Sequence, residues 1–113
     1  MMSVLTRRGR RPGLSPVVAG PLVGATPVAS LQWRQRATAV GRIRSVRVQP
    51  MAGIPTVQCT LVDDTGGLLI VFFGRRRIAG VRPGSRMVVE GMVGAQFHRL
   101  AILNPRFELL SPE

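Results

Sequence analysis

Arginine is the residue type that gives this sequence its clearest chemical potential. The chain has 16 basic and 5 acidic residues, for a formal net charge of +11, and every basic residue is an arginine. A guanidinium group binds phosphate through two parallel hydrogen bonds, stacks on bases and stays protonated. GC-rich codon usage also produces a preference for arginine. The charge itself predicts an anionic partner such as DNA, RNA or acidic lipid, or a place in a ribosome-like assembly.

Nine residues form the candidate binding site. Six arginines next to predicted strands are expected to contact phosphate: Arg42, Arg44, Arg47, Arg75, Arg76 and Arg77. Gln58 and Thr60 lie on the polar face of an alternating strand. Phe73, on the next strand, is expected either to stack on a base or to pack under a helical turn or against another protein. Because the chain has only four Phe, one Trp and no Tyr, we expect binding led by the phosphate backbone.

Residues for catalysis or metal binding are few. His98 is the only histidine, and no second histidine or cysteine has ligand spacing to it. Cys59 lies in an alternating apolar pattern that is typical of a core position. Asp63 and Asp64 precede Thr-Gly-Gly, which indicates a hairpin turn rather than a magnesium site. We therefore predict a protein that is not an enzyme, with no catalytic residues, no metal and no cofactor.

Composition divides the chain into two parts. Residues 1–33 combine an arginine cluster with scattered proline and glycine, which predicts a flexible, disordered arm. The alternatives are coding sequence upstream of the true start, an arm that adds phosphate contacts, or a secretory signal cleaved near Ser30. Residues 34–113 are expected to form the folded domain, with Trp33 covering the bottom of its core. No run reaches the ~18 apolar residues of a membrane span, so we expect a cytoplasmic protein without membrane contact.

The pattern after residue 36 predicts β structure. A long first strand, about 37–48, shifts its apolar phase past Gly41, which indicates a bulge that lets one strand serve two sheets. Four more strands are expected, within about 56–61, 68–73, 87–93 and 97–110, the last broken near Asn104 and Pro105. Residues 49–55 are expected to form a loop and residues 74–81 a helical turn. These elements predict an all-β, five-stranded OB-fold Greek-key barrel with a short helical turn between the third and fourth strands, preceded by the disordered arm.

Four segments of the chain resemble a known domain type. They are VDDTGGL at 62–68, VFFG at 71–74, RPGSRMVVEG at 82–91 and NPRFELL at 104–110. In this order they resemble the tRNA-anticodon-type OB nucleic-acid-binding domain, in particular the wedge domain of RecG-type helicases. The chain is also similar to small stand-alone OB-fold proteins of actinobacteria. The resemblance implies binding of single-stranded or junction nucleic acid; no GxxxxGK[ST] phosphate loop occurs, so it does not imply ATP-driven unwinding.

Two functions are consistent with the sequence. The first is a nucleic-acid-binding module, in which phosphate contacts lead the binding of single-stranded or branched DNA or RNA. The second is a protein-interaction or assembly module, because a fold alone does not determine function. In the second case the outward positions of the third strand, Leu69, Val71 and Phe73, are expected to form an exposed apolar interface. The sequence does not predict the oligomeric state.

Overall fold

A computed structural model describes residues 24–110 of the chain. In this part of the chain one short 3-10 helix, Val28–Ser30, precedes six β-strands. The strands are β1 (Arg36–Met51), β2 (Ile54–Asp63), β3 (Gly66–Phe73), β4 (Arg86–Gln96), β5 (Arg99–Leu103) and β6 (Arg106–Leu110). Residues 1–23, which hold most of the predicted arm, lie outside the described part.

Five of the strands close into a ring. The order around it is β1-β2-β3-β5-β4, and β4 pairs with β1 again to complete the circuit. The pairing of β3 with β5 is parallel, whereas the other pairs of the ring are antiparallel. β6 is antiparallel to the first half of β4. The predicted all-β barrel is therefore confirmed.

The first strand bends so that it can pair on both sides of the ring. Its first half, Arg36 to Arg42, pairs with β4, and its second half, Arg42 to Met51, pairs with β2. The register shifts between Ile43 and Ser45, just after the predicted position. Gly41 permits the bend, because a Cβ atom there would fall against the main-chain carbonyl of Val62.

The core fills the inside of the barrel with alternate residues of each strand. Ile43, Leu61, Leu68, Ile70, Met87, Val89 and Ile102 are all completely or almost completely buried. Phe72 and Phe107 meet edge to face, with 5.2 Å between ring centroids. Cys59 is in this core, and burial raises the pKa of its thiol to about 12. This is the core position that its sequence pattern predicts.

Two local predictions were wrong. The link between β3 and β4 contains turns but no helix, and the 3-10 helix lies instead before β1. Gly74 and Gly80 have φ values of 79° and 82°, which interrupt any helical run through this link. The predicted loop at residues 49–55 is a two-residue turn, because Pro50 and Pro55 face each other within the paired ends of β1 and β2.

The segment before β1 is attached to the barrel. Val28 and Leu31 are buried in the core, and the amide of Thr26 donates to the carbonyl of Thr38 over 2.7 Å. Asp63 fixes the 3-10 helix, since one carboxylate oxygen accepts the amide of Val28 over 2.8 Å. Trp33, expected to cover the core, is 59% exposed instead. Within residues 24–110 no helix is long and apolar enough to cross a membrane.

Candidate functional site

A groove of about 410 Å³ lies on the outer face of the barrel. Its floor comes from β2 and β3, one rim comes from β1, and the opposite rim comes from the turn that joins β4 to β5. Eight of the side chains that line it are Arg44, Arg47, Gln49, Gln58, Thr60, Leu69, Phe97 and Arg99. These eight include three guanidinium groups, three hydrogen-bonding side chains and one aromatic ring.

Strand alternation explains why polar residues form the floor. Val57, Cys59 and Leu61 point into the core, so the side chains between them point outward. Arg47 pairs with Gln58, and Thr60 lies between its partners Ser45 and Leu69. Cross-strand pairs lie side by side on one face of a sheet. The register therefore places Arg47 directly beside Gln58 and Ser45 beside Thr60.

Hydrogen bonds hold the floor and one arginine in place. The Thr56 hydroxyl donates to the main-chain carbonyl of Gln49 over 2.6 Å, and Gln58 Nε2 donates to that hydroxyl oxygen over 3.1 Å. Arg47 Nη1 donates to Gln49 Oε1 over 3.1 Å. Gln49 thus orients the Arg47 guanidinium, which remains exposed at the rim.

The opposite rim is an unusual hairpin turn. Gln96 pairs with Arg99, so Phe97 and His98 form a two-residue loop in which both φ values are positive, 53° and 61°. Turns of this kind normally use Asn and Gly, because a Cβ atom is strained in the left-handed region. Phe97 is nevertheless at the first position and is 54% exposed. The turn presents an aromatic ring to the groove at a cost in stability.

The structure brings four of the nine candidate residues together in this groove: Arg44, Arg47, Gln58 and Thr60. The Arg42 guanidinium lies elsewhere and donates to the carbonyl of Gly84 over 3.1 Å. Arg75, Arg76 and Arg77 are exposed in the link after β3, with Arg76 near the β1–β2 turn. None of these four is among the residues that line the groove.

Phe73 is half-buried rather than presented to the groove. It packs with Met51 against Leu69, Val71 and Ala101, and its amide donates to Asn104 Oδ1 over 2.8 Å. Leu69 and Val71 point outward but are 4% and 0% exposed. The apolar interface that these positions were expected to offer is therefore not on the surface.

Gln49, Phe97 and Arg99 line the groove but are not among the nine candidates. Gln49 falls in the predicted loop but continues β1, and Phe97 falls at the predicted start of a strand but belongs to a turn. The sequence predicts no role for Arg99. A usable signal was the alternation from Met87 through Val93, which continues to residue 96 and leaves Phe97 and His98 as the turn. Neither residue type suggests a turn, so composition did not reveal it.

A second basic concavity lies on another part of the barrel. It measures about 650 Å³ and is lined by Arg42, Arg82 and Arg86 together with the Gly84 turn and the last residues of β6. Among residues 24–110 no aromatic side chain lines it, and its polar groups there are mainly guanidinium groups and Ser85. It can attract an anion, but it offers no surface on which a base can stack.

The acidic residues near the first hairpin have a structural role. Burial by itself raises the pKa of Asp63, but hydrogen bonds from the Thr65 hydroxyl and the amides of Val28, Thr65 and Gly66 outweigh it and lower the pKa. The carboxylate is thus fully used by its own turn and by the 3-10 helix. In the part of the chain that the structure describes, no three His, Cys, Asp or Glu side chains are placed to hold a metal ion.

Neither the comparison with family models nor the comparison with curated proteins gives a relative on which to base a function. No protein-family model matches the chain, and the search of curated proteins gave no match. The chemistry of the site itself is therefore the basis for assigning a function.

Proposed function

We propose that this protein is an OB-fold module that binds single-stranded or junction nucleic acid without catalysis. In OB barrels the face of the second and third strands, with the loops around it, binds oligonucleotides. The groove occupies that face in this chain. The observation that carries the proposal is the convergence of Arg44, Arg47 and Arg99 with Phe97 around a polar floor.

The arginines supply the main attraction in this proposal. Arg44 and Arg47 belong to one rim and Arg99 to the other, so a sugar-phosphate chain in the groove passes between guanidinium groups on both sides. Each phosphate that they neutralise releases condensed counterions, which favours binding and makes it dependent on salt. This electrostatic attraction does not depend on the nucleotide sequence, as expected for a site with one aromatic ring.

The floor and Phe97 supply contacts to the bases. Gln58 and Thr60 are only 5% and 6% exposed on the floor, so their amide and hydroxyl groups can meet the edge of an unpaired base only from the open side of the groove. Phe97 provides a ring on which one base can stack, and such stacking is worth ~1–3 kcal/mol. A duplex does not offer unpaired base faces, so these contacts favour single strands.

The first test is the salt dependence of binding. A labelled 12-nucleotide single strand is titrated with the protein, and fluorescence anisotropy gives the affinity at several salt concentrations. The three phosphate contacts of the groove alone predict a slope of log K against log salt of about −2, at ~0.7 per phosphate, and any contact outside the groove makes the slope steeper. Binding that does not change with salt would contradict the proposal. Competition by single-stranded RNA and a forked duplex then defines the preferred nucleic acid.

A pair of double variants locates the site. Arg44→Glu with Arg47→Glu removes two groove arginines, so the slope contributed by the groove should become shallower, from about −2 to about −1. The affinity should decrease by about tenfold or more. Arg42→Glu with Arg82→Glu makes the same change in net charge at the second concavity. We expect this control to keep the slope near that of the unaltered protein. Equal losses in both variants would show that overall charge, not the groove, attracts the strand.

A further inference from the structure

The only tryptophan of the chain stands on the surface just before β1. Trp33 is 59% exposed, which is unusual for the largest apolar side chain. The guanidinium carbon of Arg34 lies 4.3 Å from the centroid of its ring, as in a cation–π contact. One side of the indole is thus next to a positive charge.

The backbone around Trp33 is fixed to the barrel. The amide of Arg34 donates to the carbonyl of Val93 over 2.7 Å, and the amide of Val93 donates to the carbonyl of Gln35 over 2.8 Å. On the other side, Leu31 is buried in the core. The indole is therefore presented by an anchored segment, and neither its exposure nor its position results from a free tail.

Strand β4 connects Trp33 to the groove. Val93, which anchors the segment, is four residues before Phe97 along β4, or roughly 13 Å at 3.3 Å per residue. Arg36 pairs with Met92, and Met92 is 51% exposed. Trp33, Arg34, Arg36 and Met92 form what we call the Trp33 surface: an aromatic ring and an apolar side chain beside two guanidinium groups.

We propose that the Trp33 surface is a second base-stacking position for the same nucleic-acid strand. The inference rests on the proposed function of the groove. A strand that leaves the groove beside Phe97 continues along β4, a length of about four nucleotides at the stacked rise of 3.4 Å. One base stacks on the indole, and Arg34 and Arg36 contact the adjoining phosphates. The charge of these neighbours favours a nucleic acid over an apolar protein partner.

Tryptophan fluorescence tests this directly, because the signal comes from Trp33 alone. Labelled thymidine oligonucleotides of 4 and 12 nucleotides are titrated with the protein, and anisotropy and tryptophan emission are recorded together. We expect the 4-mer to bind in the groove with little change in emission and the 12-mer to quench it. Trp33→Ala should weaken 12-mer binding by about 5- to 150-fold and leave the 4-mer within about twofold. Trp33→Phe, which keeps a ring, should restore most of the 12-mer affinity.

The outcomes separate the two proposals. If the 12-mer binds with normal salt dependence but does not quench Trp33, and Trp33→Ala binds it as tightly, the Trp33 surface is refuted and the groove stands. Equal losses for both oligonucleotides, in a variant with an unchanged circular dichroism spectrum, would show that Trp33 supports the groove instead of extending it, which also refutes the inference. If neither oligonucleotide binds, both proposals are wrong.

Discussion

Substituting the two residues of the β4–β5 turn separates the strain of this turn from its contribution to binding. Phe97 and His98 share the left-handed conformation, but only Phe97 lines the groove. Phe97→Gly removes the strain and the ring together, whereas His98→Gly removes strain and leaves the ring. The two variants are therefore matched in their backbone effect and differ in the proposed contact.

The expected stabilities follow from three contributions. A non-glycine residue in the left-handed region costs ~1–2 kcal/mol of stability, which a glycine avoids. Glycine also makes the unfolded chain more flexible, and this offsets about 0.5–1 kcal/mol of the gain. Phe97 is 54% exposed, so a little under half of its side chain is buried, which is worth about 1 kcal/mol. Phe97→Gly should thus change stability little. His98→Gly loses little burial and should gain about 0.5–1 kcal/mol, a rise in Tm of roughly 2–8 °C.

Affinity should change in the variant whose stability changes little, Phe97→Gly, and not in the stabilised variant, His98→Gly. Loss of one base stacked on Phe97 costs ~1–3 kcal/mol, or about 5- to 150-fold in Kd, whereas His98→Gly should stay within about twofold. Thermal unfolding followed by circular dichroism gives the stabilities, and anisotropy with a 12-nucleotide single strand gives the affinities. Full affinity in Phe97→Gly, or an equal loss in His98→Gly, would refute the assignment of Phe97 as the stacking residue.

Three further predictions concern the scaffold. Hydrogen bonds lower the folded pKa of Asp63, so the stabilisation by its carboxylate is complete above the ordinary carboxyl pKa and is lost as the pH falls below about 4. Urea unfolding should therefore show a lower stability at pH 3 than at pH 6 for the unaltered protein and for Asp64→Asn. The difference should be much smaller for Asp63→Asn. Cys59, with a pKa raised to about 12, should react with a thiol reagent at pH 8 only after unfolding; rapid reaction in the native protein would contradict its burial. Gly41→Ala should lower the unfolding free energy by about 1–3 kcal/mol, measured by urea denaturation, whereas Gly94→Ala, where the nearest atom is 3.9 Å from the new Cβ, should cost less.

The sequence predicts the barrel well, because the features that determine it are local. The change of phase after Gly41 indicates a bent strand, and the structure shows β1 paired with both β2 and β4. Alternation in β2 also places Gln58 and Thr60 on the outer face, since side-chain direction in a strand has a period of two. These inferences need only neighbouring residues.

The parts that were wrong depend on tertiary contacts. Pro50 and Pro55 suggest a loop, yet they pair with each other at the end of a hairpin, where a missing amide hydrogen is tolerated. Leu69 and Val71 point outward as predicted, but Phe73 and Met51 pack against them, so outward does not mean exposed. Local patterns give the direction of a side chain and not what covers it.

The groove itself depends on barrel closure. Arg47 and Arg99 are far apart in the sequence, and they reach opposite rims because β5 pairs with β3 while β3 pairs with β2. Only three residues of each strand form the parallel β3–β5 pairing, Leu69 to Val71 with Ala101 to Leu103. Weakening this short seam would separate the rim that holds Arg44 and Arg47 from the rim that holds Phe97, so affinity for a single strand should depend on closure more than on any one arginine.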